Sequence, residues 1–164
     1  MITQQELKEI LNYDKDTGIF TWKIAISNRV YVGKEVSSKR NTGYISIGIK
    51  NKDYLVHRLA WLYVYGYLPN YIDHVNNIRA DNRIENLREV TKTQNNQNSA
   101  IRKNNTSKVK NVTWHKQCKK WHVSICANNK RMSFGLYNDL ELAKLVAEEA
   151  RVKYHKQYAN HGRK

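Results

Sequence analysis

A polar stretch, residues 73–95, holds the side chains whose types and spacing best support chemistry. Asp73 and His74 begin it; Asn86 follows His74 by twelve positions and Asn95 follows it by twenty-one. A hard divalent cation takes oxygen ligands, which the Asp73 carboxylate and the Asn95 amide can supply. Histidine is suited to take a proton from water near neutral pH, and Asn86 or a backbone carbonyl can hold the imidazole in one tautomer. The group therefore has the parts for metal-assisted phosphodiester hydrolysis.

Three local elements must bring these side chains together. An apolar run predicts a strand that ends at Asp73. The following loop is too rich in side-chain hydrogen-bonding groups to form a regular strand or helix. Thr91 predicts the N-cap of a short helix that carries Asn95. The loop's other asparagines are interpreted as turn residues: Asn76, Asn77 and Asn82. An isolated Asp-His pair is ordinarily an exposed polar dipeptide. Here Asn86 and Asn95 follow the pair at fixed spacings, and this combination favours a functional site.

This stretch resembles the HNH homing-type endonucleases that have a ββα-metal active site, and in particular their zinc-free phage branch. The resemblance is carried by residues 73–74, 81–87 and 94–95. Residues 13–22 are also similar to the opening of many phage HNH proteins, where they serve as scaffold.

The resemblance implies a role for each of the four side chains. His74 is expected to be the general base, and Asp73 and Asn95 are expected to bind one divalent ion. Asn86 is expected to brace the loop and the histidine. Elsewhere in the superfamily the final ligand is often histidine, and an amide oxygen at Asn95 favours magnesium or manganese.

The composition indicates a polyanionic partner. The chain has 164 residues, 29 Lys and Arg against 14 Asp and Glu, a net charge of +15 and a pI near 9.8. The charge indicates nucleic acid or an anionic membrane, and nothing supports the membrane or a protein partner. Double-stranded DNA is the partner that the resemblance implies. The N-terminus does not resemble a signal peptide, so we expect an intracellular protein in the cytoplasm of a bacterial host cell. Cys118 and Cys126 lack C-x-x-C spacing, so no zinc site is expected.

The N-terminal part predicts further helices and strands. Thr3 and Glu6 predict a capping box. The remaining expectations are a turn at 12–18, a strand at 19–22, a hairpin over 43–56 and a helix over 56–65 that ends at Gly66.

Two side chains at the start of that last helix leave alternatives open. Arg58 could reach a DNA phosphate and His57 could brace the site, or both could form a buried, hydrogen-bonded structural pair.

The C-terminal part predicts three antiparallel strands packed on one helix. Alternating patterns mark strands at 110–116, 121–126 and 130–135. Asp139 predicts the cap of a helix whose apolar face comprises Leu142, Ala143, Val146, Ala147 and Ala150. This part resembles the APETALA2-type DNA-binding domain of plant ethylene-response factors, through residues 112–114, 120–125 and 134–137 and the Ala-rich helix. That resemblance implies a sheet in the major groove. On the strand alternation, Trp114 is expected to face outward toward DNA, whereas Trp121 and Phe134 are expected to face the helix.

The expected organisation has three parts. Residues 1–98 form an HNH endonuclease domain with its catalytic core at about 43–98, 99–108 form a linker, and 109–164 form the APETALA2-like domain. The whole is α+β. From residue 101 onward, 15 Lys and Arg stand against 4 Asp and Glu. Candidate DNA contacts are Arg58, Arg102, Lys103, Trp114, Lys116, Lys120, His122, Lys130 and Arg131; for any single basic residue the alternative is a solvated charge.

Together these features predict a site-specific DNA endonuclease that uses one divalent metal, resembles homing enzymes and most simply nicks one strand. The alternative is a non-catalytic, sequence-specific DNA-binding protein of the transcription-factor kind. An RNA-binding protein or RNA nuclease would fit the charge equally well, although no RNA-recognition signature is present.

Overall fold

The computed structural model describes residues 2–102, 104–127 and 130–161. Helices and small antiparallel sheets make up the fold, which confirms the predicted α+β class. Lys103, a predicted DNA contact, lies outside the described residues, as does the predicted turn at 128–129. No helix in the described ranges is long and apolar enough to cross a membrane.

The chain divides into two compact units, residues 1–89 and 90–164. The sequence predicted a functional boundary after residue 98, whereas the compact units divide after Glu89. The predicted domain limits at 98 and 108 stay predictions.

The described residues of the first unit form short helices and three two-stranded antiparallel sheets. In chain order its elements are α1 (Gln4–Ile10), β1 (Leu11–Asp14), β2 (Ile19–Trp22), β3 (Ser46–Ile49), β4 (Lys52–Leu55), α2 (Val56–Tyr65), β5 (Ile72–His74), a 3-10 turn (Ile84–Asn86) and β6 (Leu87–Glu89). The sheets pair β1 with β2, β3 with β4 and β5 with β6.

Local sequence signals explain how these elements begin and end. The capping box of Thr3 and Glu6 is present at α1, as predicted. α2 ends at Gly66, whose φ of 79° is a left-handed conformation that glycine adopts without strain. The predicted turn at 12–18 is too long, because β1 extends to Asp14 and pairs with β2.

The core of the first unit surrounds α2. Leu59 and Ala60 on α2 are fully buried, together with Leu7, Leu11 and Phe20 from the N-terminal elements. Burial of apolar side chains on one face of a ten-residue helix is the main reason why this helix is stable. Leu87 of β6 belongs to the same core and Ile72 of β5 packs against it, so the core anchors the β5–β6 pair.

The second unit contains the predicted three-stranded sheet. Its elements are α3 (Lys92–Asn98), β7 (Val112–His115), β8 (Lys120–Ala127), β9 (Lys130–Tyr137), α4 (Leu140–His155) and a 3-10 turn (Lys156–Tyr158). The strands are antiparallel in the order β7-β8-β9, and α4 packs on the sheet through Val112, Val123, Ala143 and Ala147.

The predicted buried face of α4 is partly wrong. Asp139 caps α4 as predicted, and Ala143, Ala147 and Ala150 are buried. Leu142, however, is 48% exposed, and Arg151 takes a fully buried position instead. The Arg151 guanidinium reaches the backbone carbonyl of Lys110 at 2.7 Å, which satisfies part of its hydrogen-bonding capacity inside the unit.

Candidate active site

Asp73 and His74 are the last residues of β5, and the β5–β6 pairing fixes both. Asp73 lies opposite Arg88, and His74 lies opposite Leu87. The Arg88 guanidinium donates two hydrogen bonds to Asp73 Oδ2, from Nε at 3.0 Å and from Nη2 at 2.8 Å. Both side chains of this pair are largely shielded from solvent, so the charge of Asp73 is compensated where it lies.

His74 is a buried imidazole, only 5% exposed. Burial lowers the pKa of His74, while the nearby polar side chain of Asn82 and the charges of Asp73 and Asp81 oppose that shift. The positive charge of Arg79 lowers the pKa further. The net shift is downward, so His74 is neutral at pH 7, which is the protonation state that a general base needs.

Asn86 ties both ends of the loop that follows His74. Its Oδ1 accepts from the backbone N–H of Asn76 at 3.0 Å, and its Nδ2 donates to the carbonyl of Asp81 at 2.9 Å. The Asn86 carbonyl also accepts from the N–H of Val75 at 2.9 Å. These contacts are those of a loop brace, and the catalytic role assigned to Asn86 from the resemblance stays a prediction.

Asn82 is the contributor that sequence reasoning missed. It was interpreted as a turn residue, yet it is only 2% exposed, and its side chain lies close enough to His74 to oppose the downward shift of that pKa. The Tyr13 hydroxyl, on β1, donates to the Asn82 carbonyl at 2.7 Å. Gly18 packs so closely that a Cβ there would lie 2.4 Å from Arg83 N and 2.6 Å from Asn82 C. The N-terminal hairpin thus holds the segment that faces the histidine.

Two rings, those of His57 and Tyr44, lie next to the candidate base. The His57 ring centroid lies 5.1 Å from that of His74 and 5.1 Å from that of Tyr44, and Tyr44 lies 5.9 Å from His74. Burial, with the nearby His74 and the Arg58 charge, lowers the pKa of His57 to about 3. His57 is therefore a neutral packing partner for His74.

The contacts of His57 and Arg58 bear on whether these residues have functional roles or form a buried structural pair. Arg58 Nη2 donates to the Pro69 carbonyl at 3.1 Å, which fixes the segment before β5. His57 is buried as the structural alternative supposed, but among the described residues its Nδ1 has no hydrogen-bond partner. The DNA contact predicted for Arg58 stays a prediction.

Asn95 lies on α3, in the second unit. The predicted N-cap Thr91 forms a capping box with Gln94, which fixes the start of this helix. At its end, Lys110 Nζ donates to the carbonyls of Gln97, at 2.7 Å, and Ser99. The helix that carries the predicted metal ligand is therefore held by residues of its own unit.

The C-terminal end of α3 is anchored once more within the second unit. Asn160 Nδ2 donates to the carbonyl of Asn98 at 2.7 Å. Burial, with the repulsion of Arg151, lowers the pKa of Lys110 to about 8.

One face of the three-stranded sheet is polar and lies opposite α4. His122 Nε2 is 2.9 Å from Ser133 Oγ, and Arg131 donates to Ser124 Oγ at 3.1 Å. Lys120 shares this face because it lies two residues before His122 on β8. The remaining predicted contacts of this module are exposed on the strands or their turns: Lys116 and Lys130. Arg102, before the sheet, is also exposed.

The predicted orientation of Trp114 is wrong. Trp114 and Trp121 were expected on opposite faces, but they are direct partners across β7 and β8, and their ring centroids are 4.7 Å apart. Directly paired residues share a face, and Trp121 packs against the core under α4. Trp114 is still 43% exposed at the edge, and its DNA contact stays a prediction.

The donors predicted for a metal suit a hard cation. Among the described residues no group of three His, Cys, Asp or Glu side chains is placed to hold a metal. The predicted pair needs no such group, because it consists of one carboxylate and one amide. Each carboxylate oxygen can accept more than one partner, so the contact of Asp73 with Arg88 is compatible with a further cation. The oxygen donors therefore fit magnesium or manganese in kind.

Comparison with known proteins supports the identification of this region. Residues 54–97 match the family model HNH_3, described as HNH endonuclease. The chain is 29% identical over 105 residues to Protein 3.8 of Escherichia phage T7. The aligned region covers 63% of this chain and 86% of that protein. No solved structure matches the chain. The matched residues include the buried histidine, its aspartate neighbour and the loop brace, and the chain thus contains an HNH endonuclease domain at residues 54–97.

Proposed function

We propose that this protein is a divalent-metal-dependent DNA endonuclease of the homing type, which nicks one strand at a specific site. The observation that carries the proposal is His74, a buried and neutral imidazole next to Asp73 inside the region matched by the HNH family. A neutral histidine held by fixed neighbours is suited to act as a general base at neutral pH. The match to the HNH endonuclease family supports the endonuclease class. The nicking mode, the homing character and the roles of single residues are further parts of the proposal.

In the proposed mechanism, His74 accepts the proton of the attacking water. Asn82 lies beside the imidazole and Asn86 keeps the loop closed, so the base does not need to reorganise during the reaction. His57 packs against His74 without competing for the proton, because its own pKa is about 3.

Asp73 and Asn95 would hold the divalent ion. When bound, the ion would supply Lewis-acid stabilisation of negative charge on the phosphate and on the leaving 3′ oxygen. Arg88 orients the Asp73 carboxylate through its two hydrogen bonds. Magnesium is the expected ion and manganese is expected to replace it.

In the second unit, the polar face of the sheet would bind DNA. Lys120, His122 and Arg131 lie on the face that α4 does not cover, as the resemblance to APETALA2-type domains requires. Positive side chains on an exposed sheet face can bind phosphates, and polar ones can contact base edges. Action inside a bacterial host cell stays an expectation.

A plasmid assay tests the function. Wild-type protein and an Asp73→Ala variant are incubated with supercoiled plasmid and with phage genomic DNA, in magnesium or in EDTA. Open circles that require both magnesium and Asp73 are expected. A linear product would contradict nicking by a single site. Salt-sensitive binding without cleavage of either DNA would instead favour the non-catalytic DNA-binding alternative, and stronger binding to an RNA competitor would favour the RNA alternative.

A further inference from the structure

Arg79 is an exposed arginine that is held in place beside the candidate base. Its guanidinium carbon lies 5.0 Å from the centroid of the Tyr44 ring, and its Nη1 donates to the Thr42 carbonyl at 2.7 Å. The same Tyr44 ring lies 5.9 Å from the ring of His74. One aromatic side chain therefore contacts both the guanidinium and the imidazole, and the two groups are close enough for the Arg79 charge to act on His74.

The charge of Arg79 is not neutralised by the protein. Among the described residues, no carboxylate forms an ion pair with it, whereas the neighbouring Arg83 pairs with both Asp81 and Glu85. Arg79 uses one of its five N–H donors for the bond to the Thr42 carbonyl. An exposed, oriented guanidinium with remaining donors is suited to a phosphate, whose oxygens it can bind in a forked geometry.

We propose that Arg79 binds a non-bridging oxygen of the phosphate that is cut, with Tyr44 as the platform that orients its guanidinium. This inference rests on the proposed function, because it places the scissile phosphate next to His74. The phosphate contact is thereby assigned to Arg79, in the loop that follows His74, whereas the sequence indicated Arg58 on α2.

The proposed contact has a defined place in the hydrolysis. Water forms a bond to phosphorus while the bond from phosphorus to the 3′ oxygen breaks. The proton of the water passes to His74, and the departing 3′ oxygen takes a proton from solvent. Negative charge grows on the non-bridging oxygens as the attack proceeds, and a fixed guanidinium stabilises that charge more strongly in the transition state than in the ground state.

The test compares Arg79→Ala and Arg79→Lys with a matched control, Arg40→Ala. Arg40 is an exposed arginine of the same unit whose guanidinium pairs with Asp53. Nicking of supercoiled plasmid is measured in magnesium, with and without added guanidinium ion. Binding to a 30-base-pair duplex is measured in EDTA over a range of salt concentrations. Thermal unfolding checks that each variant is folded.

We expect nicking by Arg79→Ala to fall about 100-fold, to recover in part with guanidinium ion, and to fall less in Arg79→Lys. The slope of log affinity against log salt concentration should decrease by about one for Arg79→Ala and stay the same for Arg40→Ala. An unchanged slope, combined with an unchanged nicking rate or with a loss that guanidinium does not recover, would overturn the proposal. If the wild type cuts no DNA but the slope still decreases, the endonuclease proposal fails while the phosphate contact stands.

Discussion

Arg88 on β6 lies directly opposite Asp73 on β5, and two guanidinium nitrogens donate to the same oxygen of its carboxylate, at 2.8 and 3.0 Å. The first unit thus pairs its candidate metal ligand with a cation from the adjacent strand. Removing one partner from a shielded ion pair leaves the other charge uncompensated, which costs more than the pair itself contributes.

Replacing Arg88 should therefore destabilise the first unit. For Arg88→Met we expect a loss of about 2–3 kcal/mol in the free energy of unfolding, because Asp73 keeps its charge without its partner. The measurement is urea denaturation against wild type. Arg40→Ala, which removes an exposed pair with Asp53, should cost about 0.5 kcal/mol or less. Equal stability of the two variants would contradict this role of Arg88.

Gly18 should be intolerant of any side chain. Its φ is +72°, and a Cβ would lie 2.4 Å from Arg83 N. For Gly18→Ala we expect a loss of at least about 2 kcal/mol in stability together with weaker cleavage, because the backbone of Asn82 and Arg83 must shift and displace the Asn82 side chain beside His74. Gly48→Ala is the matched control, since a Cβ there meets no atom within 4 Å. Thermal unfolding and nicking rate measure both; a Gly18→Ala protein that matches the control would refute the packing argument.

His57 should make the first unit sensitive to acid. Its pKa is about 3 when folded, against an ordinary value of 6.5, because burial, the His74 ring and the Arg58 charge disfavour the protonated form. Between these values the unfolded chain binds a proton that the folded chain does not. Stability is therefore present above pH 6.5 and lost as the pH falls, by about 3 kcal/mol near pH 4.5.

The matched variant for this pH effect is His57→Phe, which keeps a ring beside Tyr44 and His74 but cannot be protonated. Urea denaturation at pH 7.5 and pH 4.5 should show a smaller acid-induced loss in this variant than in the wild type. An equal loss in both proteins would show that other groups cause the acid sensitivity.

The polar sheet face should account for part of the salt dependence of DNA binding. For the double variant Lys120→Gln and Arg131→Gln we expect weaker binding and a log–log salt slope lower by about two, since each contact with a phosphate releases a counterion. Lys144→Gln is the control, because Lys144 lies on α4 and pairs with Glu141 at 3.5 Å. Titration of a labelled duplex gives the slopes. An identical slope in the double variant and the control would contradict the proposed binding of DNA by this face.

Local signals made much of the fold predictable. Caps act over three or four residues, so Thr3, Thr91 and Asp139 could be recognised as helix starts from their neighbours alone. Alternating patterns likewise predicted the strands of the second unit, and the α+β class followed from both.

Contacts between distant residues could not be predicted in this way. Asn82 faces His74 because the hydroxyl of Tyr13, 69 residues away in sequence, holds its carbonyl. The shared face of Trp114 and Trp121 depends on the register between two strands, which a one-residue shift would reverse. The HNH spacing gave the candidate base, but it could not show that Tyr44, His57 and Arg79 surround it.

The central claim is that His74 acts as the general base of a DNA endonuclease. The most direct measurement compares wild type with His74→Ala for magnesium-dependent nicking of DNA and for DNA affinity in EDTA, in the same preparations. The account predicts that His74→Ala loses nicking by at least about 100-fold while its affinity changes by less than about three-fold, because a base acts on the water and contributes little to binding. A His74→Ala protein that nicks DNA at the wild-type rate would contradict it.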